Sequence, residues 1–321
     1  MKTFQVIRTH LSPYQAKDFA ACEKPLVEAF PELVYRNLND AQSGMDTILI
    51  TNTHTQLRDL PAGLLQDTKL IIHPNSGYDH FHIEEDFWKN IPLIIGHSIR
   101  APGVAEYTLA CLFEGIAQLP QHLTWNKERD WDRPLLKGLP VWVFGYGHIG
   151  SIVADTLAIL GCDLTVIDPY TKSPHKIIKN WKQGNLKKAK AVLACLSLNE
   201  TSNGIFNEEF FAHASDELLF INGARGKLVK EEALKSFLLS HPKSFAFLDV
   251  FDPEPFGADW HHFPQAWKTS HIAGVSINLD QLILNFEKDV LHDFLSLNIE
   301  SFSTKYKKEL LQNKRIEGVL I

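Results

Sequence analysis

The sequence predicts an α/β protein of doubly wound parallel sheets, and three observations support this. Short apolar runs of strand length alternate with helix-period stretches along most of the chain, as in strand–helix–strand units with right-handed crossovers. Residues 139–170, LPVWVFGYGHIGSIVADTLAILGCDLTVIDPY, join a buried-strand run to a glycine-rich turn, a helix and a second strand. The length, 321 residues, leaves room for two domains.

Taken in order, residues 4–7, 47–50, 69–72 and 93–95 read as strands, with helical spacing over 15–30 and 62–65. Residues 1–98 therefore read as a small domain of their own. Pro102-Gly103 then precede 104–116, VAEYTLACLFEGI, which is apolar on most sides and reads as a buried helix. Its apolar faces exceed what one small domain can cover, so a homodimer built around it is expected.

In 139–170 each part has a mechanical reason. Val141-Trp142-Val143-Phe144 suit a buried parallel strand. Gly145 permits a tight turn, Gly147 lets a pyrophosphate approach the backbone, and Gly150 lets helix and strand pack closely. The helix start then turns its N–H groups toward the phosphates. Asp168 ends the second strand, where an acid accepts hydrogen bonds from a ribose. A carboxylate there repels the 2′-phosphate of NADP. Pro169, Tyr170 and Thr171 add no arginine, and Lys172 is the one nearby cation, so NAD is the cofactor expected.

Beyond Asp168, strands are expected at 191–198, 218–222, 244–250 and 267–271, with a helix at 230–239. Leu282, Phe286, Val290 and Phe294 recur at helical spacing from residue 278 on, and a lysine-rich helical tail is expected at 305–314.

Composition narrows the class. Hydrophobic residues at 45% and charged residues at 22% suit a soluble globular protein. A net charge of −6 argues against a nucleic-acid partner, which calls for a basic face. Cys22, Cys111, Cys162 and Cys195 show neither a disulfide framework nor metal-ligand spacing, so reduced thiols in a cytoplasmic protein are expected. His261-His262 reads as a surface loop rather than a metal site. The first residues lack a signal peptide's apolar core, and no run approaches the ~18 apolar residues of a membrane span.

Nicotinamide chemistry on a small hydroxy acid needs a cation for the carboxylate, an acid–base group for the hydroxyl proton, and a carboxylate to orient that group. Arg225, His271 and Glu254 each follow a predicted strand, and strand ends of a doubly wound sheet face the ligand crevice. Singly, each has an ordinary alternative: a surface arginine, a structural histidine, a turn glutamate between prolines.

The words around them form a set. INGARGKLVKEEAL, FLDVFDPEP and TSHIAG resemble the signature segments of NAD-dependent D-2-hydroxyacid dehydrogenases. VAEYTLA, LKGLPVWVFGYGHIG and SLNETSNGIFN resemble the same family in the same order, and HPNSGYDHF resembles its substrate loop. The resemblance runs from about residue 45 to 285 and implies two doubly wound domains. One is a Rossmann NAD-binding domain at 99–278. The other is a smaller flavodoxin-like substrate domain at 1–98, completed by 279–321.

The resemblance also assigns roles. Arg225 would bind the substrate carboxylate and carbonyl, His271 would be the acid–base, and Glu254 would pair with it and favour its charged form. The backbone of Ser76 and Gly77 would cradle the carboxylate. Asp249 would hold the nicotinamide amide, and Ser202 would approach the phosphates. Thr108, Gly145, Gly147, His148, Ile149, Gly150, Asp168, Leu196, Ser197, Gly223, Ala224 and Gly274 complete the implied cofactor positions. No metal is implied.

Some positions depart from the family pattern. Ser197 stands where proline is usual, Gly223 where a small polar residue is common, and Asn75 where glycine opens the substrate loop; the stretch 131–141, a dimer arm in relatives, is short. The expected activity is reduction of a small 2-ketoacid. A short D-3-phosphoglycerate dehydrogenase is the enzymatic alternative, and an NAD-sensing binding protein or corepressor the non-enzymatic one. Loops 74–81 and 96–103 carry Arg100 as their one full cation, with His80, His97 and the adjoining His82, while Tyr78 and Phe81 add apolar surface. A dianionic phosphate needs more cations than that, which favours glyoxylate, hydroxypyruvate or pyruvate over phosphohydroxypyruvate.

Overall fold

Successive strand side chains face opposite sides of a sheet, so a strand apolar at every position must be covered on both. A computed structural model of the chain describes residues 3–11, 15–78, 91–119, 123–128 and 133–311, with the backbone alone of 315–316 and 319–320. In it β1 (Phe4–Arg8), β2 (Leu33–Arg36), β3 (Thr47–Ile50), β4 (Thr68–His73) and β5 (Leu93–Ile95) form a parallel sheet in the order β2-β1-β3-β4-β5. Val6, Ile48, Ile50, Leu70, Ile72 and Ile94 pack one face against Val27 of α1 (Phe19–Glu28) and Val290 and Leu291 of α7 (Leu279–Ser296). Their neighbours Ile7, Leu49, Ile71, Leu93 and Ile95 pack the other face against Leu57, Leu64 of α2 (Ala62–Asp67) and Leu311. This strand order is that of flavodoxin-like sheets.

The second sheet follows the same rule. Its strands are β6 (Pro140–Phe144), β7 (Asp163–Ile167), β8 (Ile177–Ile178), β9 (Ala191–Ala194), β10 (Leu219–Asn222), β11 (Phe245–Leu248) and β12 (Ala266–Lys268). They are parallel throughout, in the order β12-β11-β10-β9-β6-β7-β8. Val141 and Val143 face Val153 and Leu157 of α4 (His148–Ile159) and Leu112 of α3 (His97–Ala117). Trp142 and Phe144 face Phe210 and Phe211 of α5 (Glu208–Ala212) and Leu234 of α6 (Glu231–Ser240). Numbered from β6, the order is the 3-2-1-4-5-6 winding of a Rossmann fold with one strand added at the edge.

The chain divides into two compact units, Met1–Ala101 with Val275–Ile321, and Pro102–Gly274. The first unit buries a charge cluster. Arg8 Nη2 lies 2.6 Å from Glu23 Oε1 and 2.5 Å from Glu287 Oε1, and the Tyr35 hydroxyl donates to Glu23 Oε2 at 2.7 Å. Burial pushes the Glu287 carboxyl up to about 8 against the pull of Arg8, and Glu287 Oε2 has no hydrogen-bond partner among the described residues.

Several sequence expectations change. Pro102 and Gly103 lie inside α3 rather than before it; as the sixth residue of the helix, Pro102 gives up the one N–H that would reach the Ser98 carbonyl, and the helix continues past it to Ala117. The helical tail expected at 305–314 is absent from its described part. A short helix, α8 (Ile299–Lys305), ends there, the Glu309 carbonyl accepts from the Ile95 amide at 2.9 Å, and Leu310 bridges to Ile94. Hydrogen-bonded turns over 306–309 thus carry the chain to the edge strand β5; residues 312–314 lie outside the described part. Among the described residues no helix is long and apolar enough to cross a membrane.

Candidate active site

The three glycines of the 145–150 turn are held differently. Gly145 has φ +90°, and a Cβ there would sit 2.8 Å from the Cys195 carbonyl oxygen. A Cβ on Gly150 would sit 2.0 Å from the Gly145 carbonyl oxygen. Both are imposed by packing of the turn. A Cβ on Gly147 would meet nothing within 4 Å among the described residues, so none of them demands glycine there. Gly147 is the N-cap of α4 and no side chain caps it, which leaves the helix start to an anion. The turn fits a pyrophosphate at Gly147, His148, Ile149 and Gly150.

Asp168 follows β7. Its Oδ2 accepts from the Tyr146 amide at 2.8 Å, and its Oδ1 from the amides of Tyr170 at 2.8 Å and Thr171 at 2.9 Å. One carboxylate thereby clamps the glycine turn to the loop after β7 and holds its charge beside that turn.

Arg225, Glu254 and His271 sit on the loops after β10, β11 and β12, at the carboxyl ends of neighbouring parallel strands. The Asn222 side chain forms the Arg225 turn, since its Oδ1 accepts from the Ala224 amide at 3.1 Å and its Nδ2 donates to the Arg225 carbonyl at 2.9 Å. Gly226 brings this turn against the next loop: a Cβ on it would sit 2.1 Å from the Phe251 carbonyl. The Phe251 amide donates to Glu254 Oε1 at 3.1 Å, and Glu254 Oε2 faces His271 Nδ1 at 3.0 Å. His271 is half exposed and has φ +54°, a conformation rare for a residue with a side chain. These contacts run unbroken from the arginine turn to the imidazole.

A family model matches residues 109–273: the NAD-binding domain of D-isomer specific 2-hydroxyacid dehydrogenases. The chain belongs to this family. D-3-phosphoglycerate dehydrogenase of Bacillus subtilis is 27% identical over 244 residues, covering 72% of this chain and 46% of that protein. Hydroxypyruvate reductase of Thermotoga maritima is 26% identical over 196 residues, covering 59% of this chain and 64% of that protein. The matched region thus spans about half to two thirds of these relatives' lengths. The structure of a 2-hydroxyacid dehydrogenase from Ketogulonicigenium vulgare superposes with a TM-score of 0.73 at 19% identity, covering 92% of this chain and 96% of that one, a likeness of fold. Family members are NAD-dependent oxidoreductases acting on CH–OH groups.

Other expected positions carry internal bonds. The Ser202 hydroxyl donates to the Ser197 carbonyl at 2.7 Å and accepts from the Asn199 amide at 2.9 Å, so it shapes the loop after β9. Thr108 is buried and donates to the Val104 carbonyl within α3. Leu196 and Ser197 follow β9, Gly223 and Ala224 follow β10, and Gly274 follows the His271 loop. Asp249 is buried: its Oδ1 accepts from the Ile272 amide and the Thr269 hydroxyl, and its Oδ2 from the Ala273 amide.

In the first unit, His73 fixes the start of the loop bearing Ser76 and Gly77. Its Nδ1 lies 2.9 Å from Thr51 Oγ1 and its Nε2 lies 2.9 Å from the Gly77 carbonyl oxygen. Arg100 Nη2 donates to Asn75 Oδ1 at 3.3 Å, and the Tyr78 ring meets that of His97 edge-on at 5.5 Å. His80, Phe81 and His82 lie outside the described residues. Sequence reasoning missed Asn222, whose signal was local: an Asx turn two residues before an alanine amide.

Proposed function

We propose that this protein is an NAD-dependent D-2-hydroxyacid dehydrogenase that works as a reductase of a small, unphosphorylated 2-ketoacid. The observation that carries the reading is the His271–Glu254 pair, joined through Phe251 to the Arg225 turn at the carboxyl ends of β10–β12. It lies in the unit that also holds the glycine cradle.

Bound nicotinamide supplies or accepts the hydride. With Nδ1 committed to Glu254, His271 has Nε2 left to exchange the proton of the substrate oxygen. Protonated, it donates to the forming alkoxide; neutral, it accepts the hydroxyl proton in oxidation. The Arg225 guanidinium pairs with the substrate carboxylate and polarises its carbonyl. The backbone of Ser76 and Gly77 assists at the carboxylate, so Met1–Ala101 with Val275–Ile321 acts as the substrate domain. The amides of His148, Ile149 and Gly150 receive the pyrophosphate, and Asp168 binds the adenosine ribose and disfavours a 2′-phosphate. Thr108, Leu196, Ser197, Ser202, Gly223, Ala224, Asp249 and Gly274 line the remaining cofactor path. The working form is a homodimer, supported by exposed Phe113, Leu123, Trp125 and Leu135 in the second unit, and its place is the cytoplasm, in keeping with four cysteines that show no disulfide framework.

Comparing kcat/KM for glyoxylate, hydroxypyruvate, pyruvate and phosphohydroxypyruvate, with NADH and NADPH, tests the proposal. Turnover of an unphosphorylated acid with NADH supports it, and turnover of none defeats it. A preference of about tenfold (~1.4 kcal/mol) for phosphohydroxypyruvate would make the protein a phosphoglycerate dehydrogenase.

A further inference from the structure

His271 holds a left-handed backbone conformation on an exposed loop, and something must keep it there. Asp249 meets three consecutive amides of that loop. Its carbonyl accepts from His271 at 2.9 Å, its Oδ1 from Ile272 at 2.8 Å and its Oδ2 from Ala273 at 2.8 Å. The carboxylate is aimed in turn. The Thr269 hydroxyl donates to Asp249 Oδ1 at 2.6 Å and lies 2.7 Å from the Tyr107 hydroxyl. A threonine hydroxyl has one hydrogen, and it is given to Asp249, so Thr269 can only accept from Tyr107. The bonds therefore run in one direction, from Tyr107 on α3 through Thr269 to Asp249 and on to the amides that set His271.

We propose that Tyr107 and Thr269 are positioning residues for His271, their hydroxyls acting in series through Asp249 to fix the imidazole for proton transfer. This rests on His271 being the acid–base group. Tyr107 also lies beside the neighbouring loop: a Cβ on Gly223, in the turn that leads to Arg225, would lie 3.6 Å from its ring. Burial pushes the Tyr107 phenol well above its ordinary value, which keeps it a donor throughout the working range. Tyr107 and Thr269 also line a surface cavity of about 510 Å³ with Cys111, Glu114 and Lys268. Sequence could not reveal this chain, because 162 positions separate its first two members.

Tyr107→Phe keeps the ring against Gly223 and removes only the hydroxyl; Thr269→Val keeps the shape and removes the donor; Thr269→Ser restores it. With the 2-ketoacid that the parent turns over fastest, Tyr107→Phe and Thr269→Val should each lower kcat about tenfold, short of the ~10² that a 1 Å displacement can cost. Their KM, NADH Kd and Tm should stay near the parent's. The solvent deuterium isotope effect on kcat should rise as proton transfer from a misplaced imidazole becomes limiting, and Thr269→Ser should return both values toward the parent's. Unchanged kcat and isotope effect would overturn the proposal, as would a kcat loss that follows Tm with no isotope change. His271→Asn, measured alongside, separates the two readings. If it keeps parental turnover, the acid–base reading falls and this proposal with it. If it is inactive while the hydroxyl variants behave as the parent, the positioning role alone falls.

Discussion

Glu254 faces two ways: its Oε2 lies 3.0 Å from His271 Nδ1, while its Oε1 accepts from the Phe251 amide at 3.1 Å. The amide fixes the carboxylate, and the carboxylate fixes the ring, so the imidazole's orientation is inherited from the backbone after β11. A carboxylate held in this way selects the tautomer with hydrogen on Nδ1 and leaves Nε2 for the substrate. In the reading proposed here, Glu254→Gln lowers kcat for ketoacid reduction by about 10–100-fold, a share of the ~10²–10⁴ that general acid–base catalysis contributes. NADH affinity should not move. Steady-state kinetics with fluorescence titration of NADH checks both; a parental kcat would remove the pair from the mechanism.

Gly147 and Gly150 should separate cofactor binding from folding. A methyl on Gly150 would sit 2.0 Å from the Gly145 carbonyl oxygen, so Gly150→Ala forces helix and turn apart and should cost about 1–3 kcal/mol or more. Gly147→Ala meets no atom of the described residues and should fold with a parental Tm. Its methyl occupies the space where a pyrophosphate would approach, so its NADH Kd should rise about tenfold or more, ~1.4 kcal/mol. Thermal melts and NADH titration of both variants decide the matter; unchanged NADH affinity in Gly147→Ala would move the phosphates elsewhere.

Asp168 should set cofactor choice. Its carboxylate is anchored by the amides of Tyr146, Tyr170 and Thr171, so its charge cannot swing away from a 2′-phosphate. Asp168→Ala should narrow the NADH-to-NADPH ratio of kcat/KM by about tenfold, ~1.4 kcal/mol. It should also weaken NADH, because the three amides lose their acceptor. A ratio that stays put would place discrimination in other residues.

Stability should carry the signature of Glu287. Burial raises its folded-state value from 4.5 to about 8, so between those limits the native state holds a proton that the unfolded chain has released. Its contribution is whole below 4.5 and is lost as pH rises through about 8. The urea midpoint of the parent should therefore fall across that window, and Glu287→Gln should flatten the fall. Identical slopes would mean that Arg8 keeps Glu287 ionised throughout.

Much of the fold was legible because parallel strands buried on both faces are near-continuous apolar runs. Residues 47–50 and the strand–glycine–helix–strand of 139–170 stood out for that reason. Strands with mixed surroundings did not: β2, Leu-Val-Tyr-Arg, has three half-buried positions, and β8 is two residues long. Strand ends were overrun where a side chain redirects the chain. The strand expected at 267–271 stops at Lys268 because the next hydroxyl and amides turn to Asp249. The charged side chains of the candidate site were readable from the words around them. What holds them, Asn222 and the Tyr107–Thr269 pair, depends on turn geometry and on contacts far apart in sequence.

The most direct test of the account is His271→Ala, measured by nicotinamide absorbance with the 2-ketoacid that the parent reduces fastest and by NADH titration of the same sample. The kcat should fall ~10²–10⁴-fold with NADH affinity nearly intact. A variant that reduces the ketoacid at the parental rate would contradict it.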